Sequence, residues 1–211
     1  MLKTLMPSLS QLITADYKTI KTAESEKIIA QSLKNLMSVE KPELRQISGI
    51  PGAGKSTFCK SHLPYNFLLL SFDKIMSSLS GYKRLLKEKG AEEAYKKYEM
   101  PARIIGYEIL RRAINHHFNI MFEHSGTNPA HLEMFKNLPK RGYKTSVDFI
   151  ICDTSLAIKR SKIRAQKINR YVPESLIFER ANGFEEYIKA YKKLTTQVTC
   201  FDGANNFSLI K

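Results

Sequence analysis

The stretch GIPGAGKST (Gly49–Thr57) decides how the rest of the chain is interpreted. It matches the pattern G-x-x-x-x-G-K-[ST], with Gly49, Gly54, Lys55 and Ser56 at the specified positions. Glycines let the backbone wrap around phosphate oxygens, and the helix that follows presents the positive end of its dipole to them. A short apolar strand ending at Gly49 precedes the motif and a helix follows it, which is the context that this loop requires. The stretch therefore predicts a nucleoside triphosphate site in an α/β fold.

The residues of this loop have different expected roles. Lys55 should reach the β- and γ-phosphates of ATP, and the hydroxyl of Ser56 should ligate Mg²⁺. The full set of expected nucleotide-binding residues is Gly49, Pro51, Gly52, Ala53, Gly54, Lys55, Ser56 and Thr57. The loop alone does not distinguish a kinase from a GTPase or a mechanical ATPase, so that distinction depends on the rest of the chain.

The composition indicates one soluble α/β domain with an anionic partner. The chain has 211 residues, of which 43% are hydrophobic, and a formal net charge of +14. Such a charge favours nucleic acid, a membrane surface or phosphorylated small molecules as the partner. Its apolar runs are far shorter than the roughly 20 residues that span a bilayer, which predicts no membrane segment. Three scattered cysteines without CxxC spacing predict reduced thiols, no zinc site and a cytoplasmic location, with delivery into another cell left open.

Short apolar segments alternate with helical ones along most of the chain. The expected later strands are residues 66–72, 118–123, 145–152 and 197–202, with FSLI at 207–210 as a short hairpin partner. This alternation predicts a P-loop NTPase or kinase-like parallel sheet flanked by helices on both faces.

Helical spacing of apolar residues predicts the other elements. Residues 82–116 should form a long helical region with a candidate break at Pro101, and another helix should run from Pro173 to about Leu194. Residues 8–37 should form one or two amphipathic helices. We therefore divide the chain into an N-terminal helical extension, residues 1–43, and a P-loop kinase domain, residues 44–211.

Two acids follow predicted strands and separate this chain from GTPases and motors. There is no NKxD-type loop that would read guanine, and no strand ends in the paired acids of a motor. Asp73 follows LLLSF and could activate an acceptor hydroxyl, as a kinase requires; alternatively, it caps a helix over residues 74–79. Glu123 follows NIMF and could hold Mg²⁺ through water or grip the substrate. Its alternative role is a structural hydrogen bond to the HSGTN loop.

The stretch KRSKIRAQKINR, residues 159–170, has six Lys or Arg residues and no acid. On a helix, Arg160 and Arg164 are i and i+4 and share one face, and Arg170 follows near the end. This spacing favours a lid, about residues 155–175, whose arginines cover a reacting phosphate. The alternatives are a solvated helix face and a nucleic-acid track, although the latter usually interleaves aromatic residues and only Tyr171 is near.

Four segments in this order resemble the zeta-toxin-like P-loop kinases. They are GIPGAGKST, LLLSFDKI, NIMFEHSGTNP and KRSKIRAQKINRYVPES, and the resemblance extends over residues 44–203. It implies a kinase with ATP and Mg²⁺ as cofactors, and an antitoxin-like protein as a partner. The best-known toxins of the family phosphorylate UDP-N-acetylglucosamine on a sugar hydroxyl.

The resemblance also implies roles for individual residues. Lys55 would bind ATP phosphates, Ser56 would ligate Mg²⁺, and Asp73 would be the base. The substrate side would comprise Glu123, Thr127 and the adjacent Asn128. From the lid, Arg170 together with either Arg160 or Arg164 would clamp the phosphates.

The acceptor loop departs from the family's pattern. The Glu-Gly-Thr of the family is extended here to Glu123-His-Ser-Gly-Thr127, and Asn128 stands where a basic residue is expected. Three functions therefore stay open. The leading hypothesis is a small-molecule kinase whose acceptor is a sugar nucleotide, and the alternatives are a kinase acting on RNA or protein and a non-catalytic nucleotide-binding interaction module.

Overall fold

Six strands form one sheet in the computed structural model, which describes residues 17–210. They are β1 Glu43–Ser48, β2 Phe67–Ser71, β3 Asn119–Glu123, β4 Lys144–Ile151, β5 Gln197–Asp202 and β6 Ser208–Leu209. Their order across the sheet is β2-β3-β1-β4-β5-β6. The neighbours among β1 to β5 pair in parallel, and β6 pairs with β5 in the antiparallel direction. The predicted parallel sheet and its short hairpin partner are confirmed.

Two of the described helices precede β1, and the others lie between consecutive strands. They are α1 Tyr17–Ile20, α2 Ala23–Leu33, α3 Lys55–His62, α4 Phe72–Ser78, α5 Ser80–Lys89, α6 Ala91–Asn115, α7 Pro129–Asn137, α8 Thr154–Ile168, α9 Glu174–Ala181 and α10 Phe184–Lys192. A 3₁₀ turn, Leu138–Arg141, follows α7. Within residues 17–210, no helix has the length and apolar content to cross a membrane.

Two predicted helix boundaries are wrong, and glycine explains both. The long helical region breaks at Gly90 (φ 86°) and not at Pro101, which lies inside the 25-residue α6. Residues on both sides of Pro101, such as Ala94 and Ile105, pack into one core, and this packing offsets the loss of one backbone donor. The helix expected to begin at Pro173 is two helices, α9 and α10, because Gly183 (φ 72°) interrupts it.

The sheet packs helices against both of its faces. One face, which includes Leu44, Phe122 and Phe149, lies in a large cluster with buried residues of α2, α6, α7 and α10. The other face, which includes Ile47 and Ile150, packs against α3, α8 and α9. Because these parallel strands are buried on both sides, segments such as FLLLS are nearly continuous apolar runs.

The described part of the N-terminal extension packs against the domain that follows. Ile29 of α2 is fully buried in the large core cluster. Arg112 of α6 donates two hydrogen bonds to Glu26, each of 2.9 Å, and these bonds lower the pKa of Glu26 to about 2. The part of the predicted extension over residues 1–16 lies outside the described residues, and the division at residue 43 stays a prediction.

The carboxyl ends of the strands form the edge where the candidate site lies. β1 lies between β3 and β4, so the chain builds one side of the sheet first and then the other. Such a reversal is the point where open α/β sheets bind ligands. The loop after β1, Asp73 after β2 and Glu123 at the end of β3 therefore reach the same crevice.

Candidate functional site

Gly52 and Gly54, in the loop between β1 and α3, have backbone conformations that other residues rarely adopt. Gly54 has φ 109° and forms the N-cap of α3, so the first backbone N–H groups of that helix are open toward the crevice. Gly52 has φ 93°, and a Cβ there would overlap the backbone carbonyl of Ala157 in α8. The loop therefore needs glycine at position 52 both for its own turn and for the close approach of α8.

Replacement of Gly52 by Ala should destabilise the protein by roughly 2–5 kcal/mol, since a left-handed conformation costs about 1–2 kcal/mol and overpacking about 1–3 kcal/mol. The matched control is Gly142→Ala, because Gly142 also has a positive φ of 80° but its Cβ would meet no described atom within 4 Å. Urea unfolding of both variants gives the comparison. Equal losses of stability would show that the contact between Gly52 and Ala157 contributes nothing.

Lys55 is held inside the loop by backbone carbonyls. Its Nζ donates hydrogen bonds to the carbonyl oxygens of Gly49 at 2.7 Å and Ile50 at 3.0 Å. Burial lowers the pKa of Lys55 to about 8; the carboxylate of Glu123 opposes this shift, and Arg170 adds to it. An oxyanion at the loop would offer this ammonium group a stronger acceptor than either carbonyl.

Ser56 and Glu123 together form a set of oxygen ligands. The hydroxyl of Ser56, at the start of α3, donates to Oε1 of Glu123 at 2.5 Å. A hydroxyl and a carboxylate suit Mg²⁺, which commonly takes one or two protein ligands and completes its shell with water and substrate phosphates. Residues 17–210 contain no cluster of three or more His, Cys, Asp or Glu that would form an all-protein metal cage. The bond to Ser56 replaces the predicted alternative for Glu123, a bond to the loop that follows it.

Asp73 forms an ion pair with Arg170 across the crevice. Asp73 lies in the first turn of α4, whose N-cap is Ser71, so the prediction that Asp73 caps a helix over residues 74–79 is wrong. The pair is accessible from the crevice, with 39% of the Asp73 side chain and 21% of the Arg170 side chain exposed. The carboxylate is thus both available at the strand end and held by a cation of the basic stretch.

The basic stretch forms α8 and the turn before α9. Arg160 donates to the carbonyl of Gly203 at 2.8 Å, beside the turn between β5 and β6. The Nε atoms of Arg164 and Arg170 are buried and have no hydrogen-bond partner among the described residues. Burial lowers the pKa of both arginines, although guanidinium groups stay charged in proteins.

The lysines of the stretch lie elsewhere. Lys159, Lys162 and Lys167 are exposed, and Lys162 pairs with the exposed Glu174 at 3.0 Å. The arginines and lysines therefore divide between the crevice and the solvent.

Most of the predicted site residues surround one cavity of about 480 Å³. The predicted residues that line it are Pro51, Gly52, Gly54, Lys55, Ser56, Thr57, Asp73, Glu123, Arg160, Arg164 and Arg170. Phosphate-loop residues, acids from two strand ends and arginines from the basic stretch thus face the same space.

Four predicted residues do not line this cavity. Gly49 and Ala53 lie behind the loop surface and are buried. The hydroxyl of the buried Thr127 donates to Ser125 Oγ at 3.2 Å. Asn128 is the N-cap of α7, where its Oδ1 accepts from the backbone N–H of Ala130 at 2.9 Å, so the structure gives it a capping role instead of a substrate contact.

Other residues that line the cavity were not among the predicted site residues. They include Tyr95, Glu99, Arg103 and Arg180, which lie outside the four quoted motifs, and His124, which lies within one of them. Tyr95, Glu99 and Arg103 are spaced by four residues on one face of α6, and this spacing was the available signal. Arg180 lies in α9, beyond the predicted lid, and no local pattern distinguishes it from a surface arginine.

Comparisons with known proteins agree with this geometry. The family model described as Zeta toxin matches residues 27–211. A chain of the PezAT chromosomal toxin–antitoxin system of Streptococcus pneumoniae has a TM-score of 0.74 at 14% identity, with 90% of this chain and 81% of that chain covered. A chain of the AvrRxo1-ORF1:AvrRxo1-ORF2 complex with sulphate ions has a TM-score of 0.65 at 12% identity, with 88% of this chain and 64% of that chain covered.

The structure of the same complex with ATP gives a TM-score of 0.61 at 12% identity, covering 88% of this chain and 61% of that chain. No curated protein matches the chain. At these identities the solved structures establish the fold, and the family model establishes the family.

Proposed function

The chain belongs to the zeta toxin family of P-loop phosphotransferases, and from this premise we propose that it is an ATP- and Mg²⁺-dependent kinase. It would transfer the γ-phosphoryl group to a hydroxyl of a small molecule, for which a sugar nucleotide is the acceptor that the family suggests. The observation that carries the proposal is the single cavity lined by Lys55, Asp73 and the arginines of the lid. A phosphate loop, an acid and cations around one space are the parts that phosphoryl transfer requires.

The phosphate side of the cavity would bind ATP through the loop. Lys55 would leave the carbonyls of Gly49 and Ile50 and contact the β- and γ-phosphates. Ser56 and Glu123, which bond to each other, would hold Mg²⁺, which neutralises charge on the phosphate oxygens when bound.

Asp73 would act on the acceptor. Its carboxylate would accept the proton of the acceptor hydroxyl while that oxygen forms a bond to the γ-phosphorus and the bond to the β-phosphate oxygen breaks. Arg170 now holds this carboxylate, so the arrival of phosphate oxygens would draw the guanidinium away and free the base.

The lid would cover the transferred group. Arg164 and Arg170 have buried Nε atoms without hydrogen-bond partners among residues 17–210, and a γ-phosphate would supply acceptors for them. Arg160, on the same face of α8 as Arg164, lines the cavity beside Gly203. These cations would stabilise the charge that spreads over the phosphoryl oxygens in the transition state.

Binding of ATP should take up a proton near pH 8.5. Because the free pKa of Lys55 is about 8, part of the population is neutral at this pH, and bound phosphates favour the ammonium form. The affinity of the protein for ATP should therefore fall as the pH rises above 8, because Lys55 loses its proton. Calorimetric titrations with a non-hydrolysable ATP analogue in buffers of different ionisation enthalpy would measure the uptake. Lys55→Arg is the control, because the arginine guanidinium stays protonated at this pH. Identical heats of binding for the wild type in all buffers would contradict the lowered pKa of Lys55.

Incubation with γ-labelled ATP and a metabolite extract tests the kinase proposal. We expect a labelled small molecule with the wild type and background labelling with Lys55→Ala or after chelation of Mg²⁺. Label that enters RNA or protein instead would favour the macromolecular acceptor that the charge of +14 suggests. Identical labelling patterns for the wild type and Lys55→Ala would contradict the proposal.

We also propose an inhibitory protein partner and a cytoplasmic site of action. The support for the partner is the fold similarity to a chain of a toxin–antitoxin system and to one chain of the AvrRxo1-ORF1:AvrRxo1-ORF2 complex. Copurification of the chain with the product of a neighbouring gene, and loss of labelling in that complex, would test the partner.

A further inference from the structure

Two arginines of the cavity have no role in the reaction described above. Arg103 projects from α6 and Arg180 from α9, and both line the cavity that holds Lys55 and Asp73. Their side chains are only 22% and 19% exposed. Cations that are four-fifths buried beside a ligand cavity need anionic partners.

The present partners of these arginines leave most of their donors unused. Among residues 17–210, the polar contacts of Arg103 go through Nε to Glu99, and those of Arg180 go through Nη1. Nη1 of Arg180 donates to the carbonyl of Thr127 at 3.3 Å and lies 3.6 Å from Glu179, which is 64% exposed. Each guanidinium carries five N–H donors, so both groups retain donors for a ligand.

The acids beside the two arginines pair with them unequally. Glu99 forms an ion pair with Nε of Arg103 and is 25% exposed, whereas Glu179 is 64% exposed and lies 3.6 Å from Nη1 of Arg180. The guanidinium of Arg180 is therefore the less tightly paired of the two and is available to a bound anion.

These arginines form a group separate from the lid pair. Arg164 and Arg170 lie in α8 and the turn after it, where Arg170 pairs with Asp73, whereas Arg103 and Arg180 lie in α6 and α9. The cavity thus has one set of cations at the phosphate loop and another at the wall formed by α6 and α9.

We propose that Arg103 and Arg180 form the acceptor-side anion site, which binds an oxyanion that the acceptor carries in addition to its reacting hydroxyl. This inference rests on the kinase function proposed above and names a class for its acceptor: a phosphorylated or carboxylated hydroxyl compound. The position of Arg180 explains how Asn128 can stand where a basic residue is expected. Asn128 caps α7, and the guanidinium of Arg180 reaches the carbonyl of the preceding Thr127 from α9.

A binding experiment without phosphoryl transfer tests the site. The full chain is saturated with a non-hydrolysable ATP analogue and Mg²⁺, which fill the phosphate loop, and is then titrated with phenyl phosphate, benzoate or phenol. We expect an anionic probe to bind and neutral phenol not to bind. Preference for phenyl phosphate would identify a phosphorylated acceptor, and preference for benzoate a carboxylated one.

Variants connect this binding to the two arginines. Arg103→Gln and Arg180→Gln should each weaken binding of the preferred anionic probe roughly ten- to a hundredfold, the range for loss of hydrogen bonds to a charged group. Arg84→Gln, which removes an exposed charge of α5, should leave it unchanged. Unchanged affinity for the ATP analogue shows that each variant is folded.

Three results would overturn the inference: no binding of either anion, equal binding of phenol, or full anion affinity in both Arg103→Gln and Arg180→Gln. Failure of the kinase proposal has a different signature, since it appears in the labelling experiment. Arginine-dependent binding of phenyl phosphate without any labelled acceptor would support the anion site and contradict the kinase proposal. Labelling of an acceptor without arginine-dependent anion binding would support the kinase proposal and contradict the anion site.

Discussion

Replacement of Arg170 by Gln should lower the rate of phosphoryl transfer by about 10³- to 10⁵-fold, the range seen when an arginine finger is removed. The reason is that Arg170 lies in the cavity with Lys55 and contacts the carboxylate of Asp73, and that its buried Nε has no hydrogen-bond partner in the part of the chain that the structure describes. Its charge would be needed most when charge spreads over the transferred group. Single-turnover transfer of labelled phosphate, with ATP affinity determined separately, measures this loss.

Lys162→Gln is the matched control for Arg170→Gln. It removes one positive charge from the same basic stretch, but Lys162 is 66% exposed and pairs with Glu174 outside the cavity. We expect its transfer rate to stay close to that of the wild type. A comparable loss in both variants would mean that the stretch acts through its total charge, and a faster rate in Arg170→Gln would mean that Arg170 only masks Asp73.

Asp73→Asn should lower the transfer rate by about 10²- to 10⁴-fold, the usual contribution of a general base. It should not weaken ATP binding. Because Arg170 loses its carboxylate partner, we expect affinity for ATP to rise by roughly two- to fivefold, which matches the small value of a partly exposed ion pair. Direct titration with a non-hydrolysable ATP analogue separates this effect from the loss of turnover.

Glu88→Gln, which removes an exposed carboxylate of α5, controls for the change in net charge. Its rate and ATP affinity should both match those of the wild type. Normal turnover by Asp73→Asn would remove Asp73 from the mechanism while leaving the enzyme a kinase. Weaker ATP binding by Asp73→Asn would contradict the view that the Asp73–Arg170 pair competes with nucleotide.

The parts of the site that depend on contiguous residues could be predicted. Lys55 and Ser56 follow a strand and glycines that permit only a few loop shapes, so local geometry places them at the start of α3. Asp73 and Glu123 come directly after apolar runs, and the ends of parallel strands share one edge. Arg164 is one helical turn after Arg160, and both line the cavity as expected.

Other parts depend on segments that are distant in the chain. Arg103 and Arg180 come from α6 and α9, and no property of either segment indicates that the two helices meet at one cavity. The sequence does not distinguish the two roles open to Asn128, because an amide side chain suits both a helix cap and a substrate contact, and the structure shows the cap. Pro101 was expected to break a helix that the core around Ala102 keeps continuous.

The sequence by itself determined the fold class, the phosphate loop and the succession of strands along the chain, because glycine conformations and apolar runs act over a few residues. Only the tertiary structure decided that Arg103 and Arg180 line the same cavity as Lys55, and that Arg170 pairs with Asp73. The physical reason is that burial and charge pairing depend on which helix surfaces meet across the sheet. Those contacts are set by the packing of the whole core and not by any short stretch of residues.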